Sequence, residues 1–228
     1  MKISIVSLNV GYPTTISHKD KAVITGIFKK PMDRPVYLSK TNFEGDGQAD
    51  LVHHGGVEKA VCVYPYEHYP FWEQKLGMKL EVGAFGENLT IQGLLEEDVC
   101  IGDKYQLGEA IVEVSQPRQP CYKLSVKYNN PELPLLFQNT GFTGYYFRVL
   151  QEGEVSINST LKRIEKHEMG ITISYANKVM HHHLDHLAGV QKMLSVSKLS
   201  ESWRKTFLKR LEGLDVDIEP RLKGNLGE

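Results

Sequence analysis

Ala110-Ile111-Val112-Glu113-Val114-Ser115-Gln116-Pro117-Arg118-Gln119-Pro120-Cys121-Tyr122-Lys123-Leu124 joins a strand-like run to a stiff loop. The β-branched residues of its first half suit a pleated, buried strand. The rings of Pro117 and Pro120 then fix φ at two points. Cys121 is thereby placed at a strand end, at the mouth of a sheet or barrel. A thiol attacks or binds metal only as thiolate, and Arg118 and Lys123 favour that form where the fold brings them near. The same residues also accommodate a plainer role, a free cysteine packed as a small hydrophobe.

Outward from this segment, residues up to about 165 form short β-type runs punctuated by Gly, Pro, Asn and Asp. Lys2 to Leu8, Ala22 to Phe28, Pro35 to Leu38, Asn88 to Ile91, Asp103 to Leu107, Gly144 to Leu150 and Val155 to Asn158 are the other expected strands. So many short strands favour a closed or partly closed barrel, which also removes exposed edges. Two helices are expected to interrupt it, at Tyr66 to Leu76, with Pro70 in the first turn, and around Leu133 to Gln138.

The pattern changes near Gly170. Helices are expected at Ile173 to His181, Leu184 to Ser195 and Glu201 to Glu212, the last with Ser200 as N-cap and Gly213 past its end. The chain therefore reads as mainly β with α: a barrel domain over 1–168, then a three-helix domain and frayed tail over 169–228. A bundle this small buries little core alone, so it is expected to dock on the barrel or on a second copy.

Among the 228 residues acids and bases nearly balance, with a formal net charge of −1. No global field draws such a chain to nucleic acid or an anionic membrane, so any anion site must be local. The N-terminus is too soon polar for a signal segment, and no apolar run approaches the roughly 18 to 20 residues of a membrane span. The expectation is a soluble, cytoplasmic protein. Cys62, Cys100 and Cys121 are widely spaced without a CxxC pair, which argues against a disulfide framework, a four-thiolate zinc site or an iron–sulfur cluster. Dinucleotide, P-loop and nucleophile-elbow motifs are absent.

His53-His54-Gly55-Gly56-Val57-Glu58-Lys59-Ala60 combines imidazoles with a backbone that can expose successive N–H groups to an anion, with Lys59 beside it. It reads equally as a polar turn. Gly83-Ala84-Phe85-Gly86-Glu87-Asn88-Leu89-Thr90 is a glycine-bent turn entering a strand, where Asn88 is either a turn residue or a donor to a ligand. Cys62 and Cys100 read as core cysteines. His181-His182-His183-Leu184-Asp185-His186 offers an i, i+4 pair to a metal, but no further ligand is identifiable, so solvated surface histidines are expected. His68 reads as part of an exposed helix face.

These two motifs, the proline-flanked cysteine segment and the tail pattern Leu199-Ser200-Glu201-Ser202-Trp203-Arg204 together resemble the MOSC domain family, related to molybdenum cofactor sulfurase C-termini, and within it the YiiM-type branch. The resemblance spans nearly the whole chain. It implies a MOSC-type β-barrel with interrupting helices and a C-terminal three-helix bundle, holding the molybdenum cofactor, a molybdopterin. It further implies Cys121 as molybdenum ligand and catalytic centre, Arg118 and Lys59 as neutralising cations, and His54, Gly55, Gly56, Asn88 and Gln116 as contacts to phosphate or pterin. The implied reaction is reduction of N-hydroxylated small molecules, such as 6-N-hydroxylaminopurine, to the amine. Electrons would come from a separate flavoprotein or ferredoxin-type donor, since the chain has no carrier of its own, and His53 or His54 has the pKa range of a proton donor. The bundle could cap the site, form a homodimer contact or dock the donor. The alternative is a non-catalytic molybdopterin or sulfur carrier using Cys121 as a persulfide.

Overall fold

The structure, a computed structural model, describes residues 3–19, 21–50, 55–214 and 217–224. In chain order its strands are β1 (Ser4–Val10), β2 (Thr14–His18), β3 (Lys21–Thr25), β4 (Lys30–Pro31), β5 (Val36–Leu38), β6 (Val61–Pro65), β7 (Leu89–Gln92), β8 (Lys104–Leu107), β9 (Ala110–Pro117), β10 (Tyr145–Gln151), β11 (Gly153–Val155) and β12 (Leu161–Glu165). The helices are α1 (Tyr69–Leu76), α2 (Lys123–Tyr128), α3 (Leu133–Thr140), α4 (Ile173–His182), α5 (His186–Leu194), α6 (Glu201–Leu211) and α7 (Glu219–Lys223).

The apolar run at 110–115 becomes β9 and extends through Pro117, flanked by β8 and β10. The whole sheet runs β12-β8-β9-β10-β6-β7-β1-β4. Its two ends do not pair, so the barrel is a half-barrel. Every neighbour is antiparallel except β6 and β7. A parallel pair needs a crossover, and α1 supplies it. Pro70 lies in the first turn of α1, where its missing N–H costs nothing.

One hydrophobic core runs without a break from the sheet, through Val112, Val114 and Phe147, into Ile173, Val179, Met193, Trp203 and Phe207 of the helical segment. The bundle thus docks on the barrel, as its small size demands. A second core, built on Tyr64, Trp72, Phe85 and Phe137, packs α1 and α3 over the other end. There the Trp72 and Phe137 rings stack 4.0 Å apart.

Four expectations need correction. The strand expected at Val155 to Asn158 lies earlier, at β11, because Ser156 N–H donates to Ser159 Oγ and turns the chain. The tail beyond Leu214 is not frayed throughout: α7 packs on the Cys121 loop. His68 is buried at 6 % exposure against Glu96 and stacks on Phe142, 3.9 Å between ring centroids. His182, His183 and His186 are exposed, as expected, and positive φ at His183, Asp185 and His186 turns the chain from α4 into α5, so His182 and His186 share no helix. His181 is half-buried rather than solvated, edge-on to Trp203, and burial pushes its imidazole down to about 3. No group of three or more His, Cys, Asp or Glu among the described residues could hold a metal, and no described helix is long and apolar enough to cross a membrane.

Candidate functional site

The cysteine loop is tied at both ends. Arg118 N–H donates to Gly144 O at 3.0 Å, continuing the β9–β10 ladder past Pro117. Beyond the cysteine, Leu124 N–H bonds to Cys121 O at 3.1 Å as α2 begins. The C-terminal helix closes the arrangement: Tyr122 N–H donates to Arg221 O at 2.8 Å, and the Arg221 guanidinium donates to Pro120 O and to Gln138 Oε1. Cys121 itself is 9 % exposed. Arg221 reads as one more charge in a polar tail, so only the fold reveals it as a brace for this loop.

The loop opens on a cavity of about 80 Å³. Cys121, Arg118, Lys59 and Asn88, all singled out in the sequence, line it together. So do Lys29, Lys123, Tyr146 and Cys62. The described lining thus holds four cations and no carboxylate; Lys29 is neutralised by buried Asp46, and Arg118, Lys59 and Lys123 make the site anion-attracting in a chain whose net charge is close to zero. Gly86, in the turn 83–87, is at φ +80, and a Cβ there would approach the Ile27 backbone at 3.1 Å, so only glycine lets this wall close.

The guanidinium of Arg118, 8 % exposed, donates through Nη2 to Phe85 O at 2.5 Å. Its Nη1 is buried and has no partner among the described residues. A buried cationic N–H left unpaired is costly, so this atom is suited to an anionic or carbonyl acceptor. Burial pushes the Lys59 ammonium down, partly offset by Glu58 and Asp50. Beside the cavity Lys127 donates to Ala84 O at 2.6 Å and is pushed down by burial to about 8.

Not every expected ligand residue faces the cavity. Asn88 lines it, yet its amide is engaged: Oδ1 accepts from Cys62 N at 3.0 Å while Nδ2 donates to Asn9 O and Asp46 Oδ2. Gln116 is buried at 1 % and turned toward the bundle, accepting from Ser202 Oγ at 3.1 Å. Gly55 and Gly56 lie outside the lining, with Gly56 at φ +92 before a short 3-10 turn at Val57–Lys59. His53 and His54 fall outside the described residues. Cys62, read as core, lines the cavity instead. Burial pushes its thiol up, opposed by the Arg118 charge. Strand alternation alone carries no sign of this, because β6 is buried on both faces.

Behind the site the motifs interlock. Glu58 pairs with Arg148 at 3.2 Å and accepts from Glu201 N–H at the start of α6. Ser200 N–H donates to Ser115 O at 3.1 Å. The Leu199–Arg204 pattern therefore buttresses β9, the strand that leads into the Cys121 loop.

Replacing Arg221 by Ala tests the brace. Freed of it, the loop is expected to open more often, and iodoacetamide to alkylate Cys121 several-fold faster, read by peptide mass mapping. An unchanged rate would show that α7 does not limit the loop.

Comparison with known proteins supplies the remaining finding. The MOSC domain model matches residues 50–162, and the YiiM-like, 3-alpha helix domain model matches 171–214. The uncharacterized protein YflK of Bacillus subtilis is 52 % identical over 213 residues, covering 93 % of this chain and 96 % of YflK. A protein of Gibberella moniliformis named "Reductase" is 38 % identical over 148 residues, 63 % of this chain but 26 % of that longer protein. Among solved structures, YiiM from Geobacillus stearothermophilus superposes with a TM-score of 0.79 at 44 % identity, covering 92 % of this chain and 99 % of that one.

Proposed function

The chain belongs to the MOSC domain family, in the branch that carries a YiiM-like 3-alpha helix domain, and from that premise we propose that it is a molybdenum-cofactor-dependent reductase of N-hydroxylated compounds. The observation that carries this reading is the pairing of a cavity thiol, Cys121, with an Arg118 Nη1 that has no partner among the described residues, in a described lining with cations and no carboxylate. A soft thiolate suits a sulfur-rich metal, and guanidinium and ammonium groups suit a phosphate-bearing pterin. Relatives support the reductive class through the Gibberella moniliformis protein named "Reductase".

When bound, the cofactor would supply a two-electron centre able to take the oxygen of an N–OH group. The chain's own residues have separate tasks. Cys121 would hold the metal, on a loop that Pro117 and Pro120 stiffen and Arg221 ties down. Arg118 and Lys59 balance the anionic charge. Asn88 and Gln116, with their amides engaged in the protein, position Cys62 and the end of β9 rather than gripping the ligand. About 80 Å³ is well below the roughly 300–1,000 Å³ that encloses a drug-sized molecule, so the cavity has room for only one end of such a cofactor, and the rest of the pterin and the substrate would lie outside it. The reaction R–NHOH + 2 e⁻ + 2 H⁺ → R–NH₂ + H₂O draws its electrons from a separate flavoprotein or ferredoxin-type donor in the cytoplasm.

The test is molybdenum and pterin content of protein made in cofactor-competent cells, with turnover of 6-N-hydroxylaminopurine under a chemical reductant. Stoichiometric metal with turnover is expected. Protein that carries transferable sulfane sulfur on Cys121 and no molybdenum would instead be a carrier.

A further inference from the structure

A second cavity, of about 640 Å³, lies between the barrel and the three-helix segment, far larger than the cysteine pocket and sharing no residue with it. Its walls come from the turn before α1, the loop after β7, the end of α3, and α4. Leu95, Phe142 and Leu184 give it apolar surface, and Glu67, Glu96 and Glu97 give it carboxylates, against Lys178.

Two residues of its lining each carry a buried side-chain oxygen that finds no donor among the described residues: Glu67 Oε2 and Asn177 Oδ1. Glu67 already uses Oε1 to accept Gly93 N–H at 2.7 Å. Asn177 is 2 % exposed, and its orientation is fixed by its neighbour: Thr143 Oγ1 donates its hydrogen to Gly144 O, so it must accept from Asn177 Nδ2, at 2.8 Å. Turning the amide over would break that bond, which leaves Oδ1 as the empty end. Glu96, by contrast, is satisfied by His68 Nε2 at 2.7 Å and Gly144 N–H at 2.8 Å. Buried acceptors without donors are rare in folded proteins and unfavourable.

Both orphaned atoms are acceptors, one of them a carboxylate oxygen, and they sit on opposite sides of the domain junction. We propose that this cavity binds a small organic cation with N–H donors at both ends of an apolar body, of the diamine or guanidino-amine class. One end of such a ligand meets Glu67, the other Asn177, and the methylene chain lies against the apolar wall. The site is independent of the molybdenum reading, since none of its residues borders Cys121.

Agmatine is the probe, measured by isothermal titration and hydrogen–deuterium exchange on the full chain, with 1-pentanol as the uncharged control. Saturable agmatine binding is expected, with added protection at residues 66–68, 139–142 and 174–182. Glu67→Gln keeps the shape of the side chain and is expected to weaken binding roughly tenfold or more. Should that variant melt early, Glu97→Gln at an exposed position is the second variant, expected to weaken binding several-fold. The proposal is overturned by no saturable binding to wild-type protein, by equal binding of 1-pentanol, by unchanged affinity in the folded variants, or by protection at 118–123 instead.

Discussion

Cys121→Ala is expected to lower turnover of N-hydroxylated substrates on the order of 10³-fold or more, and to empty the protein of molybdenum. The loss would report chemistry rather than misfolding. The loop is held by backbone bonds of Arg118, Tyr122 and Leu124 and by Arg221, and none of these uses the thiol. Removing one sulfur from a site at the cavity edge leaves these bonds in place, so melting should shift little. Cys62→Ala is the matched control, because that thiol lines the same cavity from β6. Its N–H bond to Asn88 survives the substitution, and metal content and turnover are expected to stay within a few-fold of wild type. Metal content of purified protein, turnover and melting temperature, measured on both variants, separate the two cysteines. If Cys62→Ala were the inactive variant and Cys121→Ala retained metal, the assignment of the metal ligand would pass to Cys62.

The sequence made the strand of Cys121 legible because β-branched residues and two prolines act locally. The same holds for α6, whose Ser200 cap and Trp203–Phe207 spacing need no partner to be read; Ser200 Oγ accepts from Trp203 N–H, as expected of an N-cap. What stayed hidden depends on distant chain. Arg221 is a cation in a polar tail until the fold brings it to Pro120, its partner 101 residues earlier in the chain. Cys62 looks like any strand-core residue, because alternation cannot tell a wall of the core from a wall of a cavity in a strand buried throughout. Asn88 and Gln116 were legible as important but not as to what they hold: an amide's four bonding positions are assigned only when its neighbours are known. His68 shows the opposite error, since a histidine beside a helix start reads as exposed until Glu96, 28 residues away, arrives to meet it.

Trp203→Ala is expected to destabilise the protein by about 3–5 kcal/mol, the usual cost of deleting a large buried aromatic. Trp203 is 1 % exposed and belongs to the core shared by barrel and bundle. Its Nε1 has no partner among the described residues, so the loss is one of packing and not of a hydrogen bond. For a chain of this size that is a fall in melting temperature of roughly 10 °C. Trp203→Phe keeps most of the apolar volume and should recover more than half of it, as followed by thermal unfolding of the full chain. The effect on the site is indirect. Ser200 N–H bonds to Ser115 O and Ser202 Oγ to Gln116 Oε1, so loosening α6 loosens the end of β9, from which the Cys121 loop departs. Well below the melting transition metal content should therefore be near normal, and it should fall together with structure on heating. A variant that melts like wild type yet loses metal would instead give the tryptophan a direct part in holding the cofactor, which its absence from the described lining of the Cys121 cavity argues against.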